Sequence, residues 1–179
     1  QTALITQTIT LAGGYTTTDW TTYNPAANPT AFDALGGGRV IVASVAATLR
    51  GFTMTGGYIS STVNANGGGI NATGALTLSE MIVSGNTITG AAGTQNGGGA
   101  YIGGAANVSN TTFSINEAKT SGGGLYANTT LALTDTQFLG NTATTNAGGG
   151  AFASGAATLT GGVFQSNASS NQGGGLFAN

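Results

Sequence analysis

The chain has 179 residues, 33 of them glycine; three are Lys or Arg and five Asp or Glu, which gives a formal net charge of −2 and a charged fraction of only 4%. Forty per cent of the residues are apolar, which argues against disorder, and two prolines without a Gly-X-Y period exclude collagen. Three basic residues cannot neutralise a phosphate backbone, and the absence of Cys and His removes disulfides, thiol nucleophiles, thiolate or imidazole metal sites and the Ser-His-Asp triad together.

No apolar run reaches the roughly 18–20 residues that span a bilayer. No charged segment followed by an apolar one opens the chain, so a secretory leader is expected to be absent or already removed, and the start at Gln1 is expected of a processed product. Residues 1–44 are read as an N-terminal segment that enters the fold and completes a first coil. Within it Ala3–Leu11 is a strand, Gly13–Thr30 an excursion and Arg39–Val45 the return. Pro25 and Pro29 oppose regular strand pairing inside the excursion. With Leu11-Ala-Gly-Gly-Tyr15, Trp20 and Asp33-Ala-Leu-Gly-Gly-Gly-Arg39, the segment resembles the start of secreted bacterial β-helix proteins. Tyr15 and Trp20 either cover the open top of a core or sit on a loop folded against a side wall.

From residue 45 to 179 the chain repeats. Glycine triplets begin at Gly67, Gly97, Gly122, Gly148 and Gly173, separated by 30, 25, 26 and 25 positions. A second motif keeps the same beat: Phe113-Ser-Ile-Asn116, Phe138-Leu-Gly-Asn141 and Phe164-Gln-Ser-Asn167, with Val83-Ser-Gly-Asn86 as a softer copy. Five residues before each of these stand Leu78, Val108, Leu133 and Leu159, in stretches such as Leu76-Thr-Leu78-Ser that alternate with period two. Alternation of that period marks strands with one apolar face, and helical periodicity is absent. A unit of about 25 residues cannot bury such a face alone, whereas stacking like upon like buries it. The expected fold is an all-β parallel β-helix (a β-solenoid) with coils of about 25 residues, three faces and an N-terminal capping segment. Five to six coils about 4.8 Å apart make a rod of roughly 25–30 Å. Phe113, Phe138 and Phe164 are expected to form an internal file extended by Val83 and Phe52. Asn86, Asn116, Asn141 and Asn167 are expected to form an amide ladder at a corner.

The pairing of a Gly-Gly-Gly-(Ile/Ala/Leu) element with Phe-x-x-Asn resembles the repeats of the polymorphic outer-membrane proteins, the chlamydial surface adhesins and autotransporters, over about residues 45–179. The resemblance implies a right-handed parallel β-helix that is secreted or held on a bacterial cell surface. The departure lies in the third glycine, where that family more often carries alanine, and no C-terminal membrane barrel is seen.

Enzyme chemistry on such a scaffold needs clustered acids. Glu80 and Asp135 both sit three residues before the Phe position and are expected on one face two coils apart, with Asn110 between them. Arg39 and Arg50 near Asp33, and Glu117 near Lys119, are read as surface or salt-bridge pairs, and no calcium loop occurs. No catalytic, cofactor or metal site is expected. The residue after the apolar one in each triplet strand is Asn71, Tyr101, Tyr126, Phe152 and Phe177. Strand alternation sends Tyr101, Tyr126, Phe152 and Phe177 outward as a candidate contact stripe if Ala100, Leu125, Ala151 and Leu176 face inward; the opposite arrangement puts the rings against the Phe file. Outward hydroxyls at Thr77, Ser79, Thr134, Thr158 and Thr160 suit a soluble wall and, less well, an ice-binding array. The reading is a non-enzymatic extracellular or cell-surface rod of adhesin type. Its alternative is a self-assembling filament subunit, because a coil ending at Asn179 is expected to meet further repeats or a second copy. Partners are a neighbouring surface protein, a glycan or the chain itself, without nucleic acid.

Overall fold

The computed structural model describes residues 3–179. Among them there is no helix: the chain winds as a parallel β-solenoid. Four walls run along it, and left-handed corner residues mark three of the four passages between them. The glycine wall has seven strands, from Ala3–Ile5 and Ile41–Ala43 to Leu176–Ala178. The threonine wall has six, from Ile9–Ala12 to Ala157–Thr160, and the phenylalanine wall six, from Thr30–Asp33 to Val163–Gln165. A short wall has five, from Tyr58–Ser60 to Ala168–Ser169. Three faces were expected. The fourth arises because one or two residues, such as Gly51 or Glu80 and Met81, suffice to turn the chain between the threonine and phenylalanine walls.

Register confirms the stacking of equivalent residues. Ala3 pairs with Ile41, Ile41 with Ile70, Ile70 with Ala100, Ala100 with Leu125, Leu125 with Ala151 and Ala151 with Leu176. The expected coil length thus holds for the last three coils, and the earlier ones are longer. In the first coil the extra length is the excursion between Ile9–Ala12 and Thr30–Asp33, which replaces the single corner residue Gly51 of the next coil. In the second and third coils it lies in one turn: ten positions separate Thr87 from Gly97, but five separate Glu117 from Gly122. The expected strand Ala3–Leu11 is two strands, Ala3–Ile5 and Ile9–Ala12, because it already turns from one wall to the next.

The core is filled by files of superposed side chains. Phe113 and Phe138 stack at 5.0 Å between centroids and Phe138 and Phe164 at 4.8 Å, with planes within 7° of parallel. Phe113 and Phe138 are wholly buried, worth about 1.5–3 kcal/mol each in apolar transfer. The file continues through Val83 to Met54 and Phe32, not to Phe52. Phe52 lies two residues earlier on its strand and packs its ring against Phe32 at 5.2 Å.

Beside the rings runs the amide ladder. Asn86 Nδ2 donates to Asn116 Oδ1 at 3.0 Å, Asn116 Nδ2 to Asn141 Oδ1 at 2.9 Å, and Asn141 Nδ2 to Asn167 Oδ1 at 2.9 Å. Each Oδ1 also accepts the backbone N–H of the preceding asparagine in the ladder, and each Nδ2 gives a further proton to a carbonyl on the phenylalanine wall, such as Val83 O or Phe113 O. Asn86, Asn116 and Asn141 are almost completely buried, and every polar atom of these amides is engaged, as burial requires.

The turn before each asparagine position is left-handed: Gly56, Gly85, Ile115, Gly140 and Ser166 have φ between 54° and 68°. A branched residue there is strained, by about 1–2 kcal/mol for the left-handed backbone. Ile115 is 74% exposed, so its side chain returns little in packing. After subtracting the about 0.5–1 kcal/mol entropy cost of glycine, Ile115→Gly is expected to stabilise the fold by about 0.5–1 kcal/mol. A rise in the midpoint of thermal unfolding checks this, and a fall contradicts it.

Candidate functional site

The aromatics of the glycine wall face outward. Along Ala100–Ile102, Leu125–Ala127 and Ala151–Ala153 the outer two residues are buried and the central one is half-buried. The rings of Tyr101, Tyr126, Phe152 and Phe177 form a second ladder on the outer surface. Their centroids are 5.3, 4.8 and 5.1 Å apart, and the planes lie within 19° of parallel. They are outside because the inside is taken: the Phe file reaches across the core to the glycine triplets, where a Cβ on Gly124 would stand 3.0 Å from Phe138 Cδ1. Small residues at Ala100, Ala127, Ala151 and Ala153 fit what space is left.

The phenol of Tyr126 shares a hydrogen bond of 3.0 Å with the Ser154 hydroxyl. Burial first, and then the neighbouring Tyr126, push the Tyr101 phenol above its usual value of 10.0, so both folded and unfolded forms are neutral below that pH. A raised acid favours the neutral form in the folded state. Stability is therefore expected to be flat in this group up to about pH 10 and to fall above it as the unfolded chain ionises first. A Tyr101→Phe variant should lack that component in alkaline unfolding curves.

At its Tyr101 end the ladder borders a groove of about 420 Å³ whose lining includes Arg39, Asn64, Asn66, Asn71 and Asn128. One side of it is a ledge built by the longer turns of the second and third coils, where Ala65–Asn66 and Gln95–Asn96 pair as a two-stranded sheet. Gln95 holds the ledge: its side chain is buried and its Nε2 donates to Val63 O at 3.0 Å and to Ala92 O at 2.6 Å. Thr94 N–H donates to Asn64 Oδ1 at 2.9 Å across the same turns.

A second cluster lies on the excursion. The Arg50 guanidinium sits 4.4 Å from the Tyr23 ring centroid and Arg50 Nη2 donates to Tyr15 Oη at 3.1 Å. Tyr15 stacks on Trp20 at 6.4 Å and meets Tyr23 edge-on at 5.6 Å. Burial, followed by the charge of Glu80, pushes the Tyr23 phenol up. Tyr23 and Pro25 pack over Gly51, so the loop lies along the side of the solenoid, and Trp20 is 73% exposed and caps nothing. Of the two placements open to Tyr15 and Trp20, the side wall is the one found.

The acids do not assemble. Gly51, Glu80, Asn110, Asp135 and Gly161 occupy equivalent left-handed corners by register, so Glu80 and Asp135 are on one edge, two coils or about 10 Å apart, and both exposed. That is at the outer limit of the about 6.5–9.5 Å of an inverting carboxylate pair. Asp33 accepts from Leu35 N at 2.8 Å, whereas Arg39 Nε donates to Asn66 O at 2.9 Å and Arg50 Nη2 to Tyr15 Oη at 3.1 Å, so among the described residues these groups bond to neutral partners in place of the expected salt bridges. Among the described residues no group of three acids is placed to hold a metal ion. Thr77, Ser79, Thr158 and Thr160 face outward on the threonine wall as expected.

Two features escaped the sequence. The ledge is announced only by the wider spacing between Gly67 and Gly97, which does not say where the surplus chain goes. The proximity of Tyr15, Trp20 and Tyr23 in the chain hinted at a cluster, but its partner Arg50 lies a full coil further along and only the winding brings them together. No protein-family model matches the chain, and no curated protein or solved structure is significantly similar to it.

Proposed function

We propose that the chain is a non-enzymatic extracellular rod of adhesin type that works by contact through its repetitive wall. The observation that carries this reading is the outer aromatic ladder: four stacked rings, held in line by the register of the strands beneath them, on a wall that carries almost no charge. Stacked rings lose little further conformational freedom on binding, and they present flat apolar area beside polar groups, which suits a glycan or protein surface. The separation of Glu80 from Asp135 supports a role without bond cleavage. The repeats that resemble those of surface adhesins support a place on the cell surface or outside it.

The test strips the ladder. A variant with Tyr101, Tyr126, Phe152 and Phe177 all replaced by Ser keeps the core, since none of these rings enters it. Binding of the wild-type protein to immobilised cells or glycan surfaces is expected, with loss of at least about tenfold in this variant, as for removal of interfacial aromatic anchors. Equal binding by both proteins overturns the ladder as the contact surface. Light scattering that shows oligomers of the wild type and monomers of the variant assigns the ladder to self-association and overturns the adhesin reading.

A further inference from the structure

We propose that the groove between the ledge and the Tyr101 end of the ladder is a subsite for a saccharide that bears a carboxylate. The inference rests on the contact reading above and names the ligand class for one place on the wall.

Three independent features converge there. The first is shape. The groove of about 420 Å³ has Asn64–Asn66 of the longer second-coil turn along one side, with the equally long turn of the third coil paired behind it; the shorter coils have no such ledge. Insertions in solenoid repeats fall on one face, often the binding face, and the volume is in the range of small-ligand pockets, about 300–1,000 Å³.

The second is the polar lining. Asn64, Asn66, Asn71 and Asn128 bring amide donors and acceptors from three different coils, the pattern that pairs with vicinal hydroxyls, and Tyr101 adds a ring for the C–H face of a sugar.

The third is charge. Arg39 is one of only three cations in the chain. Its Nε is committed to Asn66 O, and among the described residues its Nη groups donate to no acceptor. Partial burial lowers its affinity for its proton, so the charge is incompletely hydrated and an anion is the natural partner. A planar guanidinium whose Nη groups have no acceptor among the described residues matches a carboxylate in a two-point contact.

The experiment is calorimetric titration of the whole chain with trigalacturonate and with its fully methyl-esterified, uncharged form. Binding of the acid is expected, at least about tenfold tighter than the ester, the difference made by one charge-assisted contact. Arg39→Gln should abolish that preference, and Tyr101→Ala should weaken both ligands. Asn107→Ala, exposed on the threonine wall away from the ladder and the groove, should change neither, and thermal unfolding of each variant reports that it is folded. Equal binding of acid and ester overturns the role of Arg39. Sodium acetate that competes as well as the trimer overturns the saccharide. No binding of either trimer at about 10 mM, the weak limit of a useful subsite, overturns the whole inference. In that case loss of surface binding in the ladder variant still upholds the contact reading, so the two failures are distinguishable.

Discussion

Replacement of Asn116 by Ala is expected to remove about 3–6 kcal/mol of stability, the cost of two to three buried polar groups left without partners. Asn116 Oδ1 accepts from both the backbone N–H and the Nδ2 of Asn86, and its own Nδ2 serves Val83 O and Asn141 Oδ1. Deletion of the amide strips partners from the Asn86 amide, the Val83 carbonyl and one side of Asn141 Oδ1, all within the buried interior. Each buried polar group left unpaired costs about 1–3 kcal/mol, and a chain of polarised amides loses more than its separate links. Against a total of about 5–15 kcal/mol this is enough to leave much of the protein unfolded at modest denaturant. The comparison is Asn107→Ala on the exposed threonine wall, expected within about 0.5 kcal/mol of wild type. Chemical unfolding curves decide it, and a loss below about 1 kcal/mol at Asn116 contradicts the ladder as a stabilising element.

Asn116→Asp sharpens the case through its pH dependence. A carboxylate there has no proton to give Val83 O or Asn141 Oδ1, and it is buried, so its folded-state pKa is raised. A raised acid is least harmful below its unfolded value of about 4 and destabilises progressively as the pH rises above that. Stability of this variant should therefore fall from about pH 4 towards neutrality, a trend the alanine variant lacks.

Gly123→Ala is expected to cost at least about 3 kcal/mol or to prevent folding, the upper end of what overpacking does. Its φ is ordinary, so the cost is purely one of space: a Cβ would press on the carbonyl oxygens of Gly149 and Thr142. Both are backbone atoms in the tightly stacked triplet corner, where bonds between coils such as Gly123 N–H to Gly148 O at 3.1 Å hold the chain, so nothing flexible can yield. Overpacking a tight interior costs typically about 1–3 kcal/mol, and more where backbone must move. Gly140 provides the control. It has φ of 64° but open space within 4 Å of an added Cβ, so Gly140→Ala pays only the left-handed backbone cost of about 1–2 kcal/mol. Should the two variants unfold at the same denaturant concentration, close packing of the triplets is not what demands glycine there.

The same contrast explains which corners the chain spells with glycine. Gly67, Gly97, Gly122, Gly148 and Gly173 never vary because a side chain there meets both an unfavourable φ and the backbone of the strand that follows. The corner before the asparagines faces solvent, so Ile115 and Ser166 are tolerated at the cost of strain alone. A reader of the sequence sees the invariant glycines and the varied ones, and the space around them is visible only in the folded chain.

By itself the sequence determined the stack. Phe113, Phe138 and Phe164, or Asn86, Asn116, Asn141 and Asn167, recur at the same intervals as the glycine triplets. Parallel pairing turns equal spacing into superposition, so the two inner ladders follow from arithmetic on residue numbers. What it did not determine is everything that depends on cross-section. An Ala-Tyr-Ile strand alternates equally well with its ring inside or outside, and the choice fell outward because the Phe file already fills the distance to the glycine wall. Met54 joined that file and Phe52 did not, because the turn at Gly51 set the phase of their strand. The surplus chain between Tyr58 and Gly67 became one side of a groove, with the longer turn of the next coil paired behind it, because the walls it joins have their pairing partners fixed and the added residues go out over the surface. Spacing along a chain is a one-dimensional quantity and survives folding as register; inside and outside come into being only when four walls close around a common volume.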